Sequence, residues 1–427
     1  MPVKAITLPE PPGSPTKSEA DIFETGAYSV IRRALIIGNG VEDSENQSIG
    51  LVHALGMSEK HVLHRVTRPR GGINEWLLWL PVSVHKKVIK IISQLSLYSK
   101  VVSKRSEDKF LPLNTKDGNS AGLSSILEAD VKNIVTMAQD SSGDGPLLIV
   151  ACGRDTISIT RSIKELASDK VFIVQIQQPR SRLNRFDLVI TPEHDYYPLT
   201  PSAEKKVPNF MQKWIPPREP PDRNVVLTVG ALHQVDSASL RTAALTWHDE
   251  FVALPKPILV VTLGGPTRFC SYGADLAKQL VASLHNVLSS CGSVKISFSR
   301  RTPKQVSDFV LKELGSSPKV FIWDSEEPSL YMGHLAWADA FIVSADSVRM
   351  ISETCSTGKP VYVVGGENCS WKHAEFHKLI RERGLVRPLT GLEDISKSWS
   401  YPPLNDTAEA ANRVREALAE RGWRLLT

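Results

Sequence analysis

Three polar side chains stand where a short apolar run gives way to a helix. Ser344, Asp346 and Ser347 directly follow the apolar residues 340–343, which are typical of a strand buried on both faces of a parallel sheet. Oxygen atoms at such positions cap the unpaired amides of a helix N-terminus, and the same amides can bind phosphate. The helix should end at Gly358, a residue type suited to the left-handed C-terminal cap. The pattern predicts half of a nucleotide-binding crevice, although α/β proteins of many functions contain such a segment.

Glycines mark two further strand-to-helix turns. Each turn follows an apolar run, with Gly38 and Gly40 in the first and Gly264 and Gly265 in the second. Flexible backbone at a strand end is where open α/β sheets bind ligands. Neither turn has the G-x-G-x-x-G spacing, which disfavours a dehydrogenase. Two such turns in one chain predict two doubly wound, Rossmann-like domains that face each other across a cleft.

Composition is that of an ordinary globular protein. Of the 427 residues 41% are hydrophobic, and a net charge of +5 is slight for this length, which disfavours nucleic acid as a partner. No apolar run approaches the roughly twenty residues of a membrane-spanning helix. The cysteines are odd in number and widely spaced, which indicates reduced thiols without a disulfide framework or zinc pairs: Cys152, Cys270, Cys291, Cys355 and Cys369.

The order of the apolar runs predicts the domain organisation. Strands are expected at residues 34–37, 61–65, 147–151, 171–175 and 188–190 of a first domain and at 258–262, 294–298, 320–322, 341–343 and 361–364 of a second. A proline-dense passage at 216–221 separates them, although the chain can cross between domains some residues later. We predict a flexible Pro-rich arm at 1–27, domains at 28–222 and 223–398, and a C-terminal segment at 399–427 with an amphipathic helix at 407–421.

Glu353 lies late in the predicted helix, five residues before a Gly-x-Pro turn. This segment resembles the donor-binding segment of the two-domain glycosyltransferases of the B fold. The resemblance implies that Glu353 accepts hydrogen bonds from the ribose of a nucleotide or nucleotide sugar, and that the C-terminal helix packs back on the first domain. The alternative is an exposed helical glutamate.

Basic residues lie at or just after predicted strand ends, where they can stabilise a departing nucleotide diphosphate: Arg154, Arg180, Arg268, Arg300 and Arg301. Of these, Arg268 follows the second glycine turn and is assigned to the nucleotide cleft. Many relatives of the membrane peptidoglycan glycosyltransferase carry a histidine in the first glycine loop, but residues 41–43 of this chain contain none. The identity of a catalytic base is therefore open.

Asp155 and His194 are the candidate bases, with Glu45 and Asp195 as further ones. Asp155 can instead form an ion pair with its neighbour Arg154, and His194 can form a loop hydrogen bond with Asp195. No histidine and carboxylate set has the spacing of metal ligands, and no serine lies in a G-x-S-x-G elbow. We therefore assign no catalytic residue and no metal site.

A membrane contact has its own candidate residues. Trp76 and Trp79 precede a helical pattern whose apolar residues recur at alternating steps of four and three. Lys86, Lys87 and Lys90 lie off that apolar stripe, and each would add about 1 kcal/mol near an anionic lipid surface. The alternative is a helix packed into the first domain with its lysines in solvent.

Several motifs resemble the plant mitochondrial fission proteins of the elongated-mitochondria family. They lie at residues 66–76, 151–158, 185–198 and 399–407, and the N-terminal residues 8–12 and 21–24 resemble the plant members as well. The resemblance implies a cytosolic protein, peripherally attached to the outer mitochondrial membrane, that recruits a dynamin-related GTPase. We therefore expect a fission adaptor, with a glycosyltransferase or nucleotide-sugar-binding enzyme of the B fold as the alternative.

Overall fold

The computed structural model describes residues 29–66, 126–128, 130–140, 145–179, 183–197, 220–271, 273–323 and 328–426. The predicted membrane contact (Trp76, Trp79, Lys86, Lys87 and Lys90), the arm at 1–27 and Arg180 lie outside these residues.

Two parallel sheets organise the described residues. The strands are β1 (Ser29–Ile31), β2 (Arg33–Gly38), β3 (His61–Arg65), β4 (Ile126–Glu128), β5 (Leu147–Cys152), β6 (Val171–Ile176), β7 (Leu188–Pro192), β8 (Val225–Thr228), β9 (Ile258–Leu263), β10 (Ser293–Phe298), β11 (Val320–Trp323), β12 (Ala340–Ser344), β13 (Val361–Val364), β14 (Arg387–Pro388) and β15 (Trp423–Leu425). The first sheet has the order β4-β3-β2-β5-β6-β7-β8 and the second the order β11-β10-β9-β12-β13-β14. In each sheet the chain first adds strands on one side of its first strand, β2 or β9, and then returns to add the later strands on the other side. This order is that of a doubly wound sheet.

Helices follow most of the strands. They are α1 (Glu42–Ala54), α2 (Val131–Gln139), α3 (Ile157–Ala167), α4 (Glu193–Tyr196), α5 (Ser237–Thr246), α6 (His248–Phe251), α7 (Ala274–Val287), α8 (Lys304–Leu314), α9 (Pro328–Trp337), α10 (Val348–Cys355), α11 (Trp371–Glu382) and α12 (Asp406–Glu420). Every residue of β5, β6, β9 and β12 is buried, because helices cover both faces of each sheet.

The chain leaves the first sheet later than residue 222. Strand β8 pairs in parallel with β7, with Val189 opposite Val225, so residues 225–228 belong to the first sheet. The proline-dense passage therefore precedes the last strand of this sheet. The second domain was predicted to start at residue 223, but residues 225–228 still form a strand of the first sheet. The chain therefore passes to the second domain only after β8.

Helix α12 packs on the first domain, as expected. Its apolar residues join the core under the first sheet: Ala410, Ala411, Val414 and Leu418. At its start the Asp406 carboxylate accepts hydrogen bonds from the amides of Val229 (3.1 Å) and Gly230 (2.6 Å). Behind it, β15 pairs in parallel with β1, which joins the two ends of the described chain.

The expectation of five reduced thiols is wrong for two of them. Cys270 and Cys369 form a disulfide, whereas Cys152, Cys291 and Cys355 are free and buried. The sequence did not indicate this pair, because the two cysteines are 99 residues apart and only the folded chain brings them into contact. Among the described residues, no helix is both long enough and apolar enough to cross a membrane.

Candidate functional site

The second glycine turn is filled by side chains from the loop after β12. The amide of Gly264 donates to Ser344 Oγ (2.7 Å) and the amide of Gly265 donates to Asp346 Oδ2 (3.0 Å). Ser344 Oγ in turn donates to Asp346 Oδ1 at 2.6 Å. Arg301 reaches the same carboxylate, with Nη2 at 3.2 Å from Oδ2. The amides of this turn, which was expected to bind a ligand, therefore bind the chain's own oxygen atoms.

Close approach explains why both positions are glycine. A Cβ atom on Gly264 would lie 2.1 Å from Asp346 Oδ2, and one on Gly265 would lie 2.0 Å from the carbonyl oxygen of Arg301. Burial raises the pKa of Asp346, while hydrogen bonds from Ser344 and Gly265 and the charge of Arg301 partly oppose this effect. Arg301, rather than the expected Arg268, is the arginine at this carboxylate; Arg268 is exposed and lies 5.8 Å from the Phe269 ring.

We expect Gly265→Ala to lower the free energy of unfolding by about 2 kcal/mol, because the added methyl group meets backbone rather than a movable side chain. Urea unfolding followed by fluorescence would measure the loss. Gly273→Ala is the matched control, since no atom of the described residues lies within 4 Å of a Cβ atom at that position. Equal stability of the two variants would contradict the close approach.

The first glycine turn is filled in the same way. The amide of Gly40 donates to Glu45 Oε1 at 2.8 Å, and a Cβ atom on Gly38 would lie 2.4 Å from that oxygen. Arg65 holds the Glu45 carboxylate with two hydrogen bonds, from Nε to Oε1 (2.8 Å) and from Nη2 to Oε2 (2.6 Å). Glu45, a candidate base in the sequence, thus closes the turn with a buried ion pair. Each domain therefore places a carboxylate of its own on its glycine turn.

Glu353 lies at the contact between the domains. Only 5% of the residue is exposed, so the alternative of an exposed helical glutamate is wrong. Its Oε2 accepts from the Tyr331 hydroxyl (2.7 Å) and its Oε1 from Arg349 Nε (3.0 Å). Burial raises the pKa of Glu353, and the charge of Arg349 opposes that effect. Both carboxylate oxygens are therefore already engaged.

Arg349 links Glu353 to the first domain. Its Nη1 lies 2.7 Å from Asp43 Oδ1 and 3.5 Å from Glu42 Oε1, both in the first turn of α1. Burial opposes its charge, but Glu353 and Asp43 outweigh that effect and raise the pKa of Arg349. Sequence reasoning missed this residue, although the spacing of four between Arg349 and Glu353 was a signal for an ion pair on one helix face.

A second bridge joins the domains through α4 and α11. Asp195 accepts a hydrogen bond from Lys372 Nζ at 2.7 Å, and Arg383 Nη2 lies 3.5 Å from Glu193 Oε2. Asp195 also accepts from the amide of Gln178, at 3.4 Å. This candidate base therefore serves as an ion-pair partner between the domains.

The remaining candidates are His194, Asp155 and Ser347. His194 is buried against the Phe376 ring (5.0 Å between centroids), and burial lowers its pKa to about 3. Its Nδ1 has no hydrogen-bond partner among the described residues, so the predicted bond to Asp195 is not formed through that atom. Asp155 lies in the helical turn Arg154–Thr156 after β5. Ser347 caps α10, accepting from the amide of Met350 at 3.3 Å.

Metal chemistry finds no support among these groups. Within the part of the chain that the structure describes, no cluster of three or more His, Cys, Asp or Glu side chains is arranged to hold a metal ion. Of the predicted site residues, Gly264, Gly265, Ser344 and Asp346 meet directly. Gly38 and Gly40 meet Glu45 instead, and Glu353 meets Arg349.

These features define a protein of two Rossmann-like α/β domains, with a C-terminal helix that returns to the first domain. The model of the mitochondrial fission ELM1 family matches residues 44–418, and the chain belongs to that family. It is 61% identical over 426 residues to the mitochondrial fission protein ELM1 of Arabidopsis thaliana, covering 99% of this chain and 100% of the relative.

Other matches are weaker. An uncharacterized protein of Rickettsia prowazekii, RP120, is 29% identical over 289 residues, covering 64% of this chain and 80% of the relative. Among solved structures, the UDP-GlcNAc 2-epimerase of Methanocaldococcus jannaschii covers 91% of this chain and 99% of its own, with 12% identity and a TM-score of 0.49. MurG of Acinetobacter baumannii covers 91% and 93%, with 12% identity and a TM-score of 0.41.

Proposed function

We propose that this chain is an adaptor for mitochondrial fission that recruits a dynamin-related GTPase from the cytosol to the mitochondrial outer surface. Membership of the mitochondrial fission ELM1 family supports the process. The observation that favours an adaptor over an enzyme is the carboxylate on each glycine turn, Glu45 in the first and Asp346 in the second.

A nucleotide diphosphate would meet competition at both turns. Phosphate binding at a strand-to-helix turn requires free backbone amides and a positive local field. Here the amides of Gly40 and Gly265 already donate to carboxylates. A diphosphate would have to displace two charged groups that arginines hold in place, Glu45 by Arg65 and Asp346 by Arg301. Like charges at contact distance oppose such binding.

The predicted ribose contact is engaged as well. Glu353 accepts hydrogen bonds on both oxygens, from Tyr331 and Arg349, and Arg349 ties it to Asp43 of the first domain. A ribose would have to replace the Tyr331 bond or separate the domains. Nucleotide binding at Gly38, Gly40, Gly264, Gly265, Arg268, Ser344, Asp346, Ser347 and Glu353 therefore remains the alternative proposal, which belongs to a glycosyltransferase or a nucleotide-sugar-binding enzyme.

A thermal-shift experiment separates the two proposals. We expect a panel of nucleoside diphosphates and nucleotide sugars, at millimolar concentration, to leave the melting temperature of the full-length protein unchanged. A ligand at a hundred times its Kd would stabilise the fold by about 2.7 kcal/mol, which a melting curve resolves easily. Stabilisation of the unaltered protein that is lost in Glu353→Gln would instead support the enzyme.

The adaptor role is tested in cells that lack redundant paralogues. Depletion should leave the dynamin-related GTPase dispersed in the cytosol and the mitochondria abnormally long, and expression of Asp346→Asn should restore both as well as the unaltered protein does.

Attachment is proposed to be peripheral, so alkaline wash should release the protein, and glutamate at Lys86, Lys87 and Lys90 should weaken attachment if they meet the membrane. Normal arrival of the GTPase in depleted cells would overturn the proposal.

A further inference from the structure

The Cys270–Cys369 pair joins two loops at the carboxyl ends of strands in the second sheet. One loop follows β9 and the other follows β13, immediately before α11. Backbone contacts hold the same loops together: Cys270 and Cys369 form an isolated antiparallel bridge, and the amide of Ser370 donates to the carbonyl of Phe269 at 2.7 Å. These contacts do not involve sulfur. The two side chains should therefore stay adjacent when the disulfide is reduced.

A histidine lies against one of the two sulfur atoms. His373, in the first turn of α11, places Nδ1 at 3.4 Å from Cys270 Sγ. Burial, followed by the charge of Lys372, lowers the pKa of His373 to about 4, so the ring is neutral at physiological pH. His377, one helical turn further on, donates from Nε2 to the carbonyl oxygen of Ala345 (2.7 Å) and belongs to the same helix face.

Burial distinguishes this pair from the other cysteines. Cys369 is half-buried and Cys270 is buried, so Cys369 is the more exposed member of the pair. Cys152, Cys291 and Cys355 are buried, and burial raises the pKa of each thiol, that of Cys291 to about 11 and that of Cys355 to about 12. Thiolate character and exposure govern oxidation, so the pair at the loops should react first.

We propose that Cys270 and Cys369 form a reversible dithiol that reacts with hydrogen peroxide, with His373 as the base for ring closure. The adjacency of the two sulfur atoms, the greater exposure of Cys369 and the histidine beside Cys270 together carry this assignment.

The chemistry balances in two steps. The Cys369 thiolate attacks one peroxide oxygen, the O–O bond breaks, and the released hydroxide takes up the thiol proton as water, which leaves a sulfenic acid. His373 Nδ1 then accepts the Cys270 proton, and the Cys270 sulfur attacks the Cys369 sulfur. The S–O bond breaks, and the leaving hydroxide recovers the proton from His373 as a second water. Two thiols and one peroxide thus give one disulfide and two waters. Two molecules of a cellular thiol such as glutathione then restore the dithiol by exchange and leave as their own disulfide.

The pair borders a contact between the domains. Lys372 lies between Cys369 and His373 in the sequence, and its Nζ bonds to Asp195 of the first domain and lies 5.7 Å from the centroid of the Phe269 ring. The redox state of the pair therefore bears on the start of α11, the helix that carries this bridge. The dithiol does not depend on the adaptor role, because its chemistry requires these loops alone.

Thiol counting on the full-length protein tests the proposal. The protein is reduced with dithiothreitol, freed of reductant, treated with one equivalent of hydrogen peroxide, alkylated and mapped by mass spectrometry. We expect two of the five thiols to be lost, as a cross-link between the peptides of Cys270 and Cys369. Retention of all five thiols, or a cross-link that involves Cys152, Cys291 or Cys355, would overturn it.

Variants test the order of the steps. In Cys270→Ser the sulfenic acid at Cys369 should persist and be trapped by dimedone, whereas the unaltered protein should show little trapping. His373→Gln should slow ring closure by at least ~10-fold, as expected for removal of a general base. His377→Gln is the matched control and should close at the unaltered rate. Equal rates in the two histidine variants would remove His373 from the mechanism, and absence of dimedone labelling in Cys270→Ser would refute attack by Cys369.

Discussion

Arg349→Ala should lower the free energy of unfolding by about 3 kcal/mol, the scale measured when one partner of a buried ion pair is removed. The Arg349 side chain is 21% exposed and that of Glu353 is 7% exposed, so water cannot readily replace the lost partner. The substitution also removes the bridge to Asp43 in the first domain. Urea unfolding at neutral pH measures the loss.

Urea unfolding of Arg349→Ala at lower pH tests whether the loss of stability comes from the lost charge. Without Arg349 the pKa of Glu353 should rise further above its ordinary value, because burial then acts unopposed by that charge. A carboxyl whose folded-state pKa is raised favours the folded state as the pH falls, so the deficit of Arg349→Ala should shrink toward pH 5. Arg349→Ala combined with Glu353→Gln should recover part of the stability. A deficit that is independent of pH and of Glu353 would show that packing, and not charge, is lost.

Asp406 should give the second large effect, in the dependence of stability on pH. Burial raises its pKa to about 6 from an ordinary 3.8, against the hydrogen bonds from Gly230 and Val229. Its contribution to stability is therefore fully present below pH 3.8 and is lost as the pH rises through 6. A tenfold change in a protonation equilibrium corresponds to about 1.4 kcal/mol, so the difference between the folded and unfolded pKa values implies a loss of roughly 3 kcal/mol.

The asparagine side chain in Asp406→Asn does not titrate, so comparing the pH dependence of stability of this variant with that of the unaltered protein measures the loss. The stability of the unaltered protein relative to Asp406→Asn should fall by roughly 3 kcal/mol between pH 3 and pH 7, as measured by urea unfolding across that range. Glu416→Gln, which removes an exposed carboxylate of the same helix, is the control and should change the pH profile little. Parallel profiles for Asp406→Asn and the unaltered protein would mean that Asp406 keeps an ordinary pKa.

Local patterns predicted the strands well, because parallel strands buried on both faces must be continuously apolar. The run at residues 361–364 is β13 as expected, and the run at 258–262 extends by one residue into β9. Ser347 caps its helix as its residue type indicates. These features depend on residues within a few positions of one another, so the sequence contains the information needed.

Contacts between distant residues escaped the same reasoning. Arg349 meets Asp43 across 306 positions, and Cys270 meets Cys369 across 99. Asp346 was expected at a helix N-terminus, but its carboxylate turns to the amide of Gly265, 81 positions away. The spacing of residues does not predict whether the Asp346 carboxylate accepts from an amide of its own helix N-terminus or from the amide of Gly265. The sequence therefore predicted the two glycine turns at strand ends, but not that carboxylates of the chain itself occupy them.

The return of α12 to the first domain has a consequence for synthesis on the ribosome. The core under the first sheet includes Ala410, Val414 and Trp423 beside Ile31 and Leu51, so its packing joins the two ends of the described chain. Domains generally fold in order as they emerge. Here the N-terminal domain cannot complete its core until α12 and β15 have been translated, whereas the second sheet needs no strand after β14. A premature stop before Asp406 should therefore expose the apolar underside of the domain made first, and quality control would meet the defect there.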